Sequence, residues 1–168
     1  MKRARARVVV SGPSLLRYAA KLFKKPDQCR MVATCSHLFW AAAPSPPPPP
    51  PADDDDDAET APPPAPDAPA GRRDAKRVLE CLKRSCKIAD ACMTSHTSTI
   101  NLFVEILDHY VVHFERDVPG ITAKHVSTLV ALINEHLESM EDNDARAAVE
   151  RHYQNTLARV RAKQIADV

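Results

Sequence analysis

His109 and His113, in the stretch His109-Tyr-Val-Val-His113, come closest to a reactive pattern in this chain of 168 residues. Four apart on a helix, two histidines share one face, the geometry with which the metalloprotease motif holds zinc. The second position here is Tyr110, where such an enzyme carries its glutamate base. A third ligand would have to come from His96 or His152, and nothing in the spacing fixes either nearby. The alternative reading makes both histidines solvated or partner-facing side chains.

The thiols give a second candidate. Lys24–Trp40, KKPDQCRMVATCSHLFW, gathers Cys29, Cys35, His37 and the single tryptophan. Residues two apart on a helix point to different sides, so Cys35 and His37 make no nucleophile–base pair. The five cysteines are Cys29, Cys35, Cys81, Cys86 and Cys92, an odd number with no C-x-x-C pair. That pattern suggests neither a disulfide framework nor a tetrahedral zinc site. It predicts reduced thiols packed as small apolar groups. Glu105 and Asp108 read as surface acids, and Val118-Pro-Gly-Ile121 is a lone turn rather than a phosphate-binding loop. The chain is therefore expected to be no enzyme, with no cofactor, no metal and no small-molecule substrate.

The net charge of +1 conceals three unlike blocks. Residues 1–40 carry nine Lys/Arg against one acid, residues 41–73 two against seven, and residues 74–168 twelve against fourteen. The basic head lacks interleaved aromatics, so nucleic acid is not an expected partner. Its Arg-rich, acid-poor start also has the look of an organelle transit sequence. That keeps open an alternative: an imported or stand-alone helical protein with a His/Cys metal site. No apolar run approaches the roughly 20 residues that a membrane-crossing helix needs.

These residues must be positioned by helices, because only three glycines are present and "RVVVS" alone reads as extended. Residues 41–73 hold twelve of the fifteen prolines and the run Asp53–Asp57, the composition of a disordered insertion. Six helices are read around it: Ser14–Lys25, Asp27–Trp40, Asp74–Met93, Thr99–Arg116, Thr122–Met140 and Asp144–Ala162. Pro26 ends the first and opens the second. The first is expected to bury Leu15, Leu16, Ala19, Leu22 and Phe23, the second Met31, Val32, Cys35, Leu38 and Phe39. Asp74–Met93 has two apolar stripes, as in the middle of a stack. Ser98 or Thr99 is the expected N-cap of the fourth helix. The resulting division is a basic segment 1–13 expected to be disordered, a hairpin 14–40, the insertion 41–73, and two further hairpins in 74–168. Three hairpins form a compact bundle or a slice of an α-solenoid, and a repeat of about 46 residues fits the HEAT/armadillo range.

"LFKKPDQCRMVATCSHLFW", "KRVLECLKRSCKIADACM", "INLFVEILDHYVVHFER", "ITAKHVSTLVALINEHLESME" and "VERHYQNTLARVRAK" resemble, in order, the C-terminal end of the large α-solenoid subunit of retromer. The resemblance covers roughly residues 17–40 and 74–163 and breaks at the Pro/Asp-rich insertion. It implies an all-α, HEAT-like solenoid fragment of about three antiparallel hairpins, acting as a scaffold. It further implies that the concave side grips the small, phosphoesterase-fold retromer subunit. Sorting nexins, the cytosolic face of endosomal membranes and transmembrane cargo then follow as indirect partners in endosome-to-Golgi and recycling transport. The family's N-terminal half, with its "PRLYL" motif for an arrestin-like subunit, is missing, so a gene fragment, a partial gene model and a shortened paralogue all remain open. In such stacks the second helix of each hairpin lines the concave side, which nominates His109, His113, Arg116, His152 and Asn155 as partner-binding residues.

Overall fold

From Ile100 to Phe114 the sequence offers apolar side chains to every side of a helix, and such a helix has to be enclosed. The computed structural model describes residues 12–40, 73–93, 100–141 and 144–165. Within these, α1 spans Gly12–Ala19, α2 Lys25–Cys35, α3 Ala75–Met93, α4 Asn101–Glu115, α5 Ala123–Glu138 and α6 Asp144–Ala162. A 3-10 turn, Ser36–Phe39, continues α2. The described residues contain no strand, only an isolated bridge between Trp40 and Arg73. The expected basic segment 1–13 lies almost wholly outside them, and so do nearly all of the insertion 41–73 and the caps Ser98 and Thr99.

α4 packs against α2, α3, α5 and α6. It buries Leu102, Phe103, Val104, Ile106, Leu107, Tyr110, Val111 and His113, which at about 100° per residue cover roughly 200° of its circumference. α3 packs on α2 and α4 and buries Val78, Cys81, Leu82, Ser85, Ala89 and Cys92 on one broad face that its two neighbours share.

Helix directions follow from which residues meet. Across α2 and α3, Cys29 meets Ser85 and Phe39 meets Arg77, so rising numbers meet falling ones and the pair is antiparallel. Tyr110 with His125 and Phe103 with His136 do the same for α4 and α5. Between α2 with its 3-10 turn and α4, contacts keep a constant separation of 75, 77 and 72 residues, so the two run parallel. Between α4 and α6 the separations are 51, 44, 48 and 44. Parallel second helices behind antiparallel hairpins are the arrangement of an α-solenoid. The separation of 44 to 51 residues matches the expected repeat.

Local chemistry sets the corners. Asp117 adopts φ 52° just past α4, the Asp117 N–H donates to the Phe114 carbonyl and the Val118 N–H to the His113 carbonyl. This closes a Schellman motif and drives Val118 into the core, 2% exposed. Gln164 at φ 51° repeats the device after α6, with the Ile165 N–H donating to the Val160 carbonyl. Thr122 caps α5 in a box with His125, and the Asp74 carboxylate accepts the Arg77 N–H at the start of α3.

Two sequence expectations need correcting. α1 ends at Ala19 instead of Lys25, leaving Leu22 at 39% and Phe23 at 101% exposure rather than in the core. The buried Gln28 amide donates to the Ala20 carbonyl, which fixes the chain in the turn before Pro26. Along α2 and its 3-10 turn, Met31 and Leu38 face solvent, while Gln28, Cys29, Ala33 and Ser36 join Val32, Cys35 and Phe39 inside. Covered by both α3 and α4, α2 puts small residues at the contacts, and the 3-10 turn rotates the register after Cys35.

Leu107, fully buried in α4, is expected to cost about 2–5 kcal/mol when changed to alanine. Leu38→Ala, at a half-exposed position, should cost under about 1 kcal/mol. Urea midpoints for the two variants check this; equal losses would contradict the central place of α4.

Candidate partner-binding face

The parallel layer α2–α4–α6 is crossed by polar links that single-helix patterns do not reveal. Arg30 on α2 binds Glu105 on α4 with both nitrogens of its fork, at 2.7 and 3.1 Å, and Asn101 donates to the same carboxylate at 2.7 Å. The guanidinium is held charged by its hydrogen bond to Glu105. Asp108 on α4 takes His152 at 2.7 Å and the Thr156 hydroxyl at 2.7 Å, both from α6. Glu115 accepts a two-pronged bond from Arg159, which lowers its pKa. A cleft of about 330 Å³ opens between α2 and α4, with Arg30, Thr34, Glu105, Asp108 and His109 on its walls.

Beneath it lies a cluster of imidazoles. His37 Nε2 and His109 Nδ1 are 2.8 Å apart, and the His37 ring stacks on His113 with centroids 4.5 Å apart. Ser36 Oγ gives its one proton to the Ala33 carbonyl at 2.6 Å, so the contact of 2.8 Å to His113 Nε2 makes that nitrogen the donor. His113 Nδ1 is then a buried lone pair with no hydrogen-bond partner among the described residues. Burial, then the neighbouring imidazoles and Arg116, push the pKa of His113 down to about 3. Burial, then His109 and Arg116, bring His37 down to about 4. His109 is lowered by burial, against the pull of Asp108 and Glu105. All three are neutral at ordinary pH.

The nominated residues thus separate. Arg116 and Asn155 are exposed; His109 and His152 are half-buried and engaged with His37 and Asp108. His113 is a correction: at 0% exposure it has no surface to offer a partner and acts as packing under His37. The histidine that joins His109 and His113 is His37, while His152 sits with Asp108 and His96 lies outside the described residues. Among the described residues no group of three His, Cys, Asp or Glu is arranged to hold a metal. The thiols are poor nucleophiles, since burial raises Cys29 to about 12 and both Cys81 and Cys86 to about 11. Sequence reading missed the links through Arg30, Asp108 and Arg159; the separation of about one repeat between partners is the signal that would have exposed those from α4 to α6.

A family model and three relatives match this chain. The family model for vacuolar protein sorting-associated protein 35 matches residues 13–136. Vacuolar protein sorting-associated protein 35B of Arabidopsis thaliana is 37% identical over 132 residues, 75% of this chain and 14% of the relative. Protein 35A of the same plant is 38% identical over 136 residues, covering 77% and 14%. Vacuolar protein sorting-associated protein 35 of Schizosaccharomyces pombe is 37% identical over 123 residues, covering 73% and 12%. The chain therefore spans only 12–14% of the length of these relatives.

The imidazole cluster sets a pH dependence. Unfolded histidine titrates near 6.5, and the folded values of about 4 and about 3 lie below it. Between these limits the unfolded chain binds more protons, so the stabilisation is full above about pH 6.5 and is lost as pH falls towards 3. Urea midpoints from pH 7.5 to 4.5 should fall, each histidine contributing up to about 1.4 kcal/mol per pH unit. His113→Phe should flatten that slope; an unchanged slope would take the cluster out of the acid response.

Proposed function

Because this chain belongs to the family of vacuolar protein sorting-associated protein 35, we propose that it serves as a solenoid segment of the large subunit of retromer. Its task there is mechanical: it presents a helical surface to the small, phosphoesterase-fold subunit and catalyses nothing. The observation that carries this reading is the parallel α2–α4–α6 layer, whose links from Arg30 to Glu105, Asp108 to His152 and Glu115 to Arg159 hold three second helices in one register. A surface fixed before its partner arrives loses less conformational entropy on binding.

On that layer Arg116 and Asn155 are the exposed contacts, with His109 and His152 supporting them from half-buried positions. Arg116 brings five donors in a rigid fork, suited to a carboxylate on the partner. No helix among the described residues is long and apolar enough to cross a membrane. Attachment to the cytosolic face of endosomes is assigned to sorting nexins in the assembled coat. Endosome-to-Golgi and recycling transport of transmembrane cargo is the process served.

The test uses the full chain on an immobilised small retromer subunit. Binding at micromolar concentration is expected, with Arg116→Glu weaker by about tenfold, or 1.4 kcal/mol. His113→Phe should bind like the wild type. No capture at micromolar concentration, or capture indifferent to both Arg116→Glu and Asn155→Ala, would refute the assignment.

A further inference from the structure

The side of the stack facing away from the α2–α4–α6 layer is formed by first helices. The Gln28 amide reaches the Ala20 carbonyl, while Phe39 shares a groove with Pro13 and Leu16, so α1 runs antiparallel to α2. That groove, of about 230 Å³, also has Arg77 and Arg84 on its walls, which sets α1 beside α3. On α3, Lys76, Arg77, Lys83, Arg84 and Lys87 are all exposed. At about 100° per residue they spread over an arc of roughly 120°, clear of the buried Val78, Leu82, Ser85 and Ala89. The acids near them are few: Glu80 and Asp90 are exposed, and Asp74 is paired with Arg77 at 3.3 Å.

α1 and the corner that follows it extend the charge and add apolar surface. Arg17, Lys21, Lys24 and Lys25 are exposed. Lys25 reaches Gln28 at 3.2 Å, and the one acid of the corner, Asp27, lies 3.7 Å from Arg30. Between Lys21 and Lys24 stand Leu22, 39% exposed, and Phe23, fully in water at 101%. We infer that this side of the stack, made by α1, its corner and α3, rests on an anionic lipid surface. Leu22 and Phe23 enter the boundary between headgroups and acyl chains there, and the cations of both helices meet the headgroups.

Lipid of this kind answers both features at once. Each Lys or Arg brought near an anionic bilayer adds to the attraction. Apolar side chains bracketed by lysines gain at the interface, where the body leaves water and the charge does not. The α3 cations run from Lys76 to Lys87, about 16 Å along the axis, and α1 lies beside them across the groove, so the charges cover an area rather than a line. A linear acidic peptide would meet one helix, leave the charges of the other unanswered and leave Phe23 in water. The contact is peripheral, and it uses the side opposite to the layer assigned to the small retromer subunit. Neither assignment therefore rests on the other.

The experiment is sedimentation of the full chain with vesicles of phosphatidylcholine, alone or with about one third phosphatidylserine. Only the anionic vesicles should carry the chain down, and about 1 M salt should release most of it. Lys83→Glu/Lys87→Glu should weaken binding about tenfold or more. Arg151→Glu/Lys163→Glu makes the same charge change at α6, on the opposite layer, and should weaken it about threefold or less. Phe23→Ser leaves the charge alone and should still weaken binding about fivefold. Equal binding to both kinds of vesicle, equal losses from the two charge-reversed pairs, or wild-type binding by Phe23→Ser would overturn the inference. It also falls if vesicles go unbound while a poly-glutamate peptide, or a second copy seen by light scattering, is held in a way that Lys83→Glu/Lys87→Glu abolishes.

Discussion

The fold depends on the enclosure of α4. A helix with Leu102, Phe103, Val104, Ile106, Leu107, Tyr110 and Val111 all buried cannot lie on a surface, and no single partner helix covers it. Four neighbours close around it: α3 and α5, its antiparallel companions along the chain, and α2 and α6, which flank it in parallel. That is the logic of a stacked repeat, in which one hairpin cannot hide its own apolar faces and depends on those before and after. Once α4 is enclosed, the directions of the other helices and the existence of a shared second-helix layer follow.

Apolar contact alone leaves the helices free to slide by a turn, and the polar links remove that freedom. Arg30–Glu105 and Glu115–Arg159 are partly solvated, with the arginines 45% and 42% exposed, so each adds little to stability. Their value lies in geometry: a two-pronged guanidinium–carboxylate contact has one good alignment, which selects a single register. The Ser36–His113 contact does the same from below and leaves one imidazole nitrogen buried without a donor among the described residues. An orphaned acceptor of this sort is a cost accepted at the joint between α2 and α4.

The helical class, the order of the helices and the contact of α3 with two neighbours were legible from the spacing of apolar residues, and the bounds of α6 were read to the residue. Register within α2 was not. Met31 and Leu38 fit an apolar stripe as well as Cys29, Ala33 and Ser36 do, and the choice was made by α3 and α4 pressing close enough to require small side chains. The early end of α1 was hidden too, because Leu22 and Phe23 continue its pattern beyond the last helical residue. Among the nominated site residues, exposure of Arg116 and Asn155 agreed with their polar character. His113 misled because a histidine on a helix signals either a surface or a satisfied core, and only His37, 76 residues away in sequence, decides between them.

The insertion explains why two repeat lengths coexist in one stack. Partners on α2 and α4 lie 75 residues apart at Arg30–Glu105, whereas partners on α4 and α6 lie 44 to 51 apart. Subtracting the 32 residues of 41–72 from 75 leaves 43, close to the shorter spacing and inside the HEAT/armadillo range. The underlying repeat is therefore uniform, and the extra chain has been placed where it disturbs it least. Trp40 and Arg73 are bridged, so the insertion enters and leaves through one point at the tip of the α2–α3 pair. Loop closure costs only about 0.6 kcal/mol more for each doubling of length, so the pair tolerates a long excursion almost as readily as a short one.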